Sequence, residues 1–251
     1  MKLTVDLNAD LGEGAGHDQE LLSLVSSASI ATGFHAGDPA SVFTSILMAK
    51  ETGVAVGAHP SFADRKNFGR TEHLLKPAQL LALVAYQVGA FQAVAAAAGM
   101  EVNHVKPHGA LYNMAARDPI VAEAVVHGIL AVDSALIVFA PAGSALARAA
   151  RALAFPVACE VFADRNYLAD GSLVPRGRPD ALIHDPAAAA ERVIRMLNEG
   201  VVRSVDGEDV PVKAETICVH GDTPEALSFA REVRERLTQA GVTITAPSSP
   251  K

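Results

Sequence analysis

Short apolar, β-branched runs alternate along the chain with longer amphipathic or alanine-rich stretches, the pattern of parallel strands joined by helical crossovers. Strands are predicted at residues 3–8, 29–33, 54–58, 102–106, 135–140, 156–161 and 216–219, with 242–245 as an eighth. Helices are expected around Leu21 to Val25, around Val42 to Leu47, along the run that starts at Pro77, and around Val193 to Leu197. Pro39, Pro77, Pro119, Pro186 and Pro224 each stand where a helix would begin, because the missing N–H costs nothing at the first helical position. With this many βα units and no break in composition, a closed (β/α) barrel of seven or eight parallel strands is more economical than an open doubly wound sheet. Residues 1–251 therefore read as one domain. Asp206-Gly207, between the apolar runs 201–205 and 210–212, reads as the turn of a β-hairpin inserted near 201–213. Segments 59–76 and 162–185 exceed an ordinary βα connection and are expected to enclose a ligand.

Composition narrows the partners. A chain of 251 residues that is 50% hydrophobic has a large core available, and one domain of this size buries roughly 70–75% of its unfolded surface. Twenty-one basic against 28 acidic residues leave a net charge of −7, the wrong sign for holding a nucleic-acid backbone. The first ten residues alternate like a strand and do not resemble a signal peptide, and no apolar run reads as approaching a membrane span, so a cytoplasmic protein without a membrane partner is expected. Cys159 and Cys218 lie in apolar runs without a C-x-x-C partner and read as core thiols.

Ionisable residues gather where the predicted strands end, the face on which parallel barrels place their sites. Asp6, Asn8 and Asp10 have the period of two that puts side chains on one face of a strand, and His104, Lys106 and His108 repeat the device. Other strand ends bring His35, His59 and His220, and another brings Glu160 followed by Asp164 and Arg165. Buried together, such groups are costly unless they pair with one another, a metal or a ligand. The set suits proton transfer, each well-placed group contributing on the order of 10²–10⁴ in rate. It also suits a divalent cation, with Asp10, His35 and His59 as candidate ligands, although no fixed-spacing metal signature selects among them. Asp38 and Asp222, just before prolines, read mainly as helix caps. His17, His73, His127 and His184 read as surface residues. Gly12-Glu13-Gly14-Ala15-Gly16 fails as a dinucleotide fingerprint, because His17 stands where its third glycine belongs, and no phosphate-binding loop occurs elsewhere. In the 162–185 loop Arg165 is a candidate for holding a substrate anion.

Several segments carry a family resemblance: Asp-Leu-Asn-Ala-Asp-Leu-Gly-Glu (6–13), Gly-Phe-His-Ala-Gly-Asp-Pro (33–39), Gly-Ala-His-Pro (57–60) with Phe-Gly-Arg (68–70), His-Val-Lys-Pro-His-Gly-Ala-Leu-Tyr (104–112), Phe-Ala-Asp-Arg-Asn-Tyr (162–167) and Cys-Val-His-Gly-Asp (218–222). In these the chain resembles the 5-oxoprolinase A-subunit family, also called the LamB/YcsF or lactam-utilisation family. The resemblance implies a barrel related to the glycoside hydrolase/deacetylase superfamily, acting with partner subunits B and C to open 5-oxoproline to L-glutamate at the expense of ATP, with nucleotide use assigned to the partners. Ala9 and Thr32 stand where the family pattern leads one to expect cysteine, which argues against a nucleophilic thiol there. Within this reading Asp10 or Glu13 serves as base, His59 or His108 as acid or metal ligand, and Lys106 stabilises developing oxyanion charge. Asp6, Asn8, His35, Arg70, His104, Glu160, Asp164, Arg165 and His220 are expected to contact substrate. Two alternatives stay open: a stand-alone metal-dependent amide hydrolase or deacetylase, and a substrate-delivery subunit with no chemistry of its own.

Overall fold

A computed structural model of the chain describes residues 3–219 and 226–248. The expectations for His220, Asp222 and Pro224 lie outside the described residues. Strands β1 (Thr4–Leu11), β2 (Ser27–Ala31), β3 (Ala55–His59), β4 (Val102–Val105), β5 (Ile137–Pro141) and β6 (Val157–Phe162) pair in parallel, each with the next. Next come β7 (Val201–Arg203) and β8 (Asp209–Pro211), an antiparallel hairpin whose turn places Gly207 at φ 81°. Strand β9 (Thr216–Val219) pairs with β6 on one side and β1 on the other, which closes a seven-stranded barrel. The eighth parallel strand, β10 (Thr243–Ile244), is a short addition to β1 outside the closed ring. The carbonyls of Leu3 and Val5 accept from Thr243 and Thr245, and that of Leu7 accepts from Ser26 at the start of β2.

The helices are α1 (Asp18–Leu22), α2 (Pro39–Thr52), α3 (Pro77–Ala97), α4 (Gly109–Arg117), α5 (Pro119–Leu130), α6 (Ala145–Ala152), α7 (Pro186–Glu199) and α8 (Ala226–Gln239). Four of them begin on the proline that the sequence marks. Before three of these, Asp38, Asp118 and Asp185 accept hydrogen bonds from first-turn amides, so an Asp-Pro pair supplies both the cap and the preset backbone angle. Helix α3 corrects one expectation: its 21 residues carry no charge, and among the described residues it is the one helix long and apolar enough to cross a membrane. Here Leu80, Val84, Val88, Phe91 and Ala95 turn one stripe of it into the core.

Alternation along the strands divides the protein into two interiors. The outward residues, such as Leu7, Ala9, Leu11, Ile30, Val56, Val105, Val138 and Ile217, join the helices in one continuous apolar core. Among the described residues two small apolar groups stand apart from that core, Ile137 with Phe139 and Ala158, and Tyr112 with Phe162 and Cys218, and the lumen is otherwise largely polar. A barrel interior is ordinarily filled by aliphatic layers. The polar lumen is therefore where the fold sets stability aside for chemistry.

Candidate active site in the barrel lumen

The lumen is built in tiers. At its floor Asp6 accepts from Ser26 Oγ (2.6 Å), Ser27 Oγ (2.7 Å) and Thr216 Oγ1 (2.6 Å). Burial nevertheless outweighs these three donors and raises the Asp6 pKa. Beside it, His104 stacks on Phe139 with ring centres 4.1 Å apart, and its Nε2 lies 3.0 Å from Ser29 Oγ. Burial, reinforced by Lys106, lowers His104 to about 3, so its ring is neutral. A side chain at Gly57 would strike that ring, its Cβ falling 2.3 Å from the imidazole, so β3 needs a glycine there. Asp6 and His104, both expected to meet substrate, are thus fully engaged beneath the mouth.

The middle tier centres on Lys106. Its ammonium reaches Asp10 Oδ1 (2.6 Å), Asn8 Oδ1 (2.9 Å), Glu160 Oε1 (3.0 Å) and Cys218 Sγ (3.3 Å). Burial by itself would lower its pKa, but Asp10, with Cys218 and Glu160 behind it, drives it well above the ordinary lysine value. Asn8 Nδ2 donates to Glu160 Oε1 (3.1 Å) and Thr216 Oγ1 (2.7 Å), which ties this tier to the floor. The other Glu160 oxygen accepts from the Tyr112 hydroxyl at 2.6 Å. Both oxygens of Glu160 and the amide of Asn8 are therefore used by the protein itself. Three members were missed in the sequence, Tyr112, Thr216 and Cys218, because hydroxyls and thiols in apolar runs read as ordinary core.

The upper tier is a cluster of imidazoles around Glu13. Its Oε1 lies 3.0 Å from His35 Nε2, 3.2 Å from His108 Nδ1 and 3.8 Å from His59 Nε2. The outer nitrogens are anchored by backbone: His59 Nδ1 donates to the Lys106 carbonyl (2.6 Å) and His108 Nε2 to the Phe68 carbonyl (2.9 Å). In the neutral rings those bonds leave His59 Nε2 and His108 Nδ1 as lone pairs, 3.0 Å apart and facing each other. The ligand atoms of Glu13, His35, His59 and His108 all fall within 4.8 Å of one another. Burial lowers His35 to about 4 and also lowers His108. For Glu13, burial acts upward, but the imidazoles of His108 and His35 beside it prevail and hold the carboxyl well below its usual range. For His59 burial acts downward, and the Asp10 carboxylate beside it, 3.4 Å from Nε2, outweighs that and raises it.

Facing lone pairs and an ionised carboxylate form an arrangement that a divalent cation would complete. Three imidazoles and one carboxylate are a donor set for borderline ions such as zinc. Of the expected ligands, His35 and His59 belong to this cluster. Asp10 stands next to it, engaged with Lys106, and Glu13 and His108 make up the four.

The 59–76 loop shapes this tier. A 3₁₀ turn (Arg65–Asn67) leads into Phe68 and Gly69, both at positive φ, and Phe68 lies edge-on to His35 and His108. Arg70 stacks its guanidinium 4.9 Å from the Phe68 ring at the rim. On the opposite side, Ala163 donates to the Cys218 carbonyl, which brings Asp164 and Arg165 to the mouth between β6 and β9. There Arg165 is buried and donates to the Val174 carbonyl; burial and the adjacent Arg176 hold its pKa down at about 10.

Comparison with known proteins agrees with this architecture. The LamB/YcsF family model matches residues 5–251. The 5-oxoprolinase A subunit of Brevibacillus brevis is 49% identical over 248 residues, spanning 97% of this chain and 98% of that protein. The crystal structure of a lactam utilization protein from Thermus thermophilus superposes with a TM-score of 0.91 at 46% identity, covering 98% of this chain and 100% of that one. At the level of fold alone, a polysaccharide deacetylase from Bacillus cereus aligns with a TM-score of 0.51 at 14% identity, over 99% of this chain and 97% of its own. On the full-length match of both the family model and its relatives, the chain belongs to the LamB/YcsF family.

Proposed function

We propose that this chain is the lactam-opening subunit of a 5-oxoprolinase, hydrolysing 5-oxoproline to L-glutamate with partner subunits B and C at the expense of ATP, in the cytoplasm. The observation that carries the reading is a buried acid–base centre, Asp10, Glu13, His59 and His108, in a chain 49% identical over nearly its whole length to a 5-oxoprolinase A subunit.

Resonance makes a lactam carbonyl a poor electrophile, so its opening needs activation. The sequence carries neither a phosphate-binding loop nor a dinucleotide fingerprint. ATP chemistry is accordingly assigned to the partners. What falls to this chain is to add water to the carbonyl carbon and to protonate the departing nitrogen. Asp10 suits the base: Lys106 holds one of its oxygens and the other faces His59. Once protonated, the same carboxyl, or the adjacent His59, returns the proton to nitrogen. Lys106, whose ammonium is held by Asp10, Asn8, Glu160 and Cys218, acts on Asp10 rather than on substrate oxygen. Glu13, His35, His59 and His108 are the residues that would hold a divalent cation, and when bound it supplies Lewis acidity to the lactam carbonyl. Arg70 is the rim cation offered to the substrate carboxylate, and the buried Arg165, which donates to the Val174 carbonyl, backs the mouth on the side of β6 and β9.

The test is glutamate release and 5-oxoproline-dependent ATP hydrolysis, measured with this polypeptide alone, with its partners, and with the partners alone. Turnover only in the combination is expected; full turnover by the partners alone would refute the assignment. The Glu13–histidine cluster favours one second reading, a metal-dependent amide hydrolase. Amide cleavage by this chain alone, abolished by a chelator and restored by zinc, would select it.

A further inference from the structure

Tyr112 lies on α4 and is buried, with its ring edge-on to Phe162 at a centre distance of 6.0 Å. Among the described residues its hydroxyl is the donor to Glu160 Oε2, at 2.6 Å, while Glu160 Oε1 is shared by Lys106 and Asn8. Glu160 is itself shut off from solvent, so its orientation is set by these three partners. The chain of contacts then runs from Lys106 Nζ to Asp10 Oδ1 at 2.6 Å, and from Asp10 Oδ2 towards His59 Nε2 at 3.4 Å.

We propose that Tyr112 is a positioning residue: its hydroxyl locks Glu160, Glu160 locks the Lys106 ammonium, and the ammonium turns Asp10 so that one carboxylate oxygen faces the reacting centre. Without the hydroxyl, the buried Glu160 Oε2 loses the 2.6 Å donor that it has among the described residues, a loss costly enough to make the carboxylate rotate. The ammonium follows its strongest acceptors, and Asp10 loses its fixed aim. A displacement of about 1 Å at a reacting group can cost on the order of 10²-fold in rate. For its kinetic arm this inference rests on the lactam-opening reading.

The test is Tyr112→Phe, which keeps the ring against Phe162 and removes only the hydroxyl. Two readouts are taken on the full chain: the ¹⁵Nζ ammonium resonance of Lys106, assigned by its loss in Lys106→Arg, and kcat and KM for 5-oxoproline with the partner subunits. The expected result is a displaced or exchange-broadened Lys106 signal, with kcat reduced about 10–100-fold and KM within about threefold, since only the aim of the base is disturbed. An unmoved Lys106 signal in the folded variant overturns the proposal whatever the rate, and so does a displaced signal with unchanged kcat. If the wild-type assembly opens no 5-oxoproline, the lactam reading fails, and the Lys106 signal by itself decides whether Tyr112 positions the ammonium.

Discussion

His59 Nε2 and His108 Nδ1 face each other at 3.0 Å, each ring held in place from behind by a backbone carbonyl, that of Lys106 or of Phe68. With each outer nitrogen already donating to a carbonyl, the inner nitrogens can hold at most one proton between them, and Glu13 adds a negative charge beside that gap, so a cation can take the proton's place. This predicts a divalent-cation site. Titration calorimetry with zinc is expected to show one equivalent bound by the wild type, and His108→Ala should weaken it by more than about 100-fold, because loss of an outer-sphere partner alone costs about 10–100-fold. Equal affinity in the two proteins would dismiss the cluster as a metal site.

Removal of the Lys106 ammonium should damage both chemistry and stability. Lys106→Met leaves the buried carboxyls of Asp10 and Glu160 without their cation, and breaking a buried pair by deleting one partner costs about 3–5 kcal/mol. Glutamate release should vanish, and the urea midpoint should fall correspondingly. A variant as stable as the wild type would contradict the network.

At Gly69 backbone and packing make the same demand. Its φ is +64°, and an added Cβ would sit 2.2 Å from Ser61 Oγ, 2.9 Å from His35 Cβ and 3.0 Å from His108 Cδ2. Gly69→Ala is expected to destabilise by about 1–3 kcal/mol and to displace His35 and His108, with loss of activity. Gly177→Ala, in open space without a positive φ, should change neither. The contrast is read from thermal midpoints and turnover of the two variants.

Acid should weaken the fold through His104. Its folded pKa is about 3 against 6.5 in the unfolded chain, so between these values the unfolded state binds a proton that the folded state refuses. Stability therefore falls as pH drops from about 6.5 towards 3. Urea unfolding between pH 4 and 7 should show a steeper loss in the wild type than in His104→Gln, which cannot gain the charge. Parallel slopes would remove His104 as a cause.

Helix starts offer a milder test. Asp38 Oδ1 accepts from the amides of Ala40 and Ser41, both at 2.9 Å, and Ser41 returns a bond to the Asp38 amide. Asp38→Ala should lower the thermal midpoint slightly and leave turnover unchanged. A large activity loss would instead give Asp38 a direct part in the site.

Much of this was legible in the chain because it is local. Alternation marked Asp6, Asn8 and Asp10 as one face of β1, and the same rule carried His104, Lys106 and His108 onto one face although Pro107 ends β4: the amides of Lys106 and His108 still bond to Ala58 and Pro60 of the neighbouring segment. Proline and aspartate placed the helix starts. Tyr112 and Cys218 stayed hidden, since a tyrosine in a helix and a thiol in an apolar strand carry no local mark of what they touch.

The order of βα units, the inward set of ionisable side chains and the glycine-bearing loops belong to the sequence itself, because side-chain direction follows from a period of two and helix starts from a single cap. Depth belongs to the tertiary structure. Asn8 meets Glu160 across 152 residues and Asp6 meets Thr216 across 210, and such partners are set by how far each strand slides against the next as the barrel closes. That stagger sends Asp6 and His104 to a saturated floor, holds Lys106 above them, and leaves Glu13, His35, His59 and His108 together at the top.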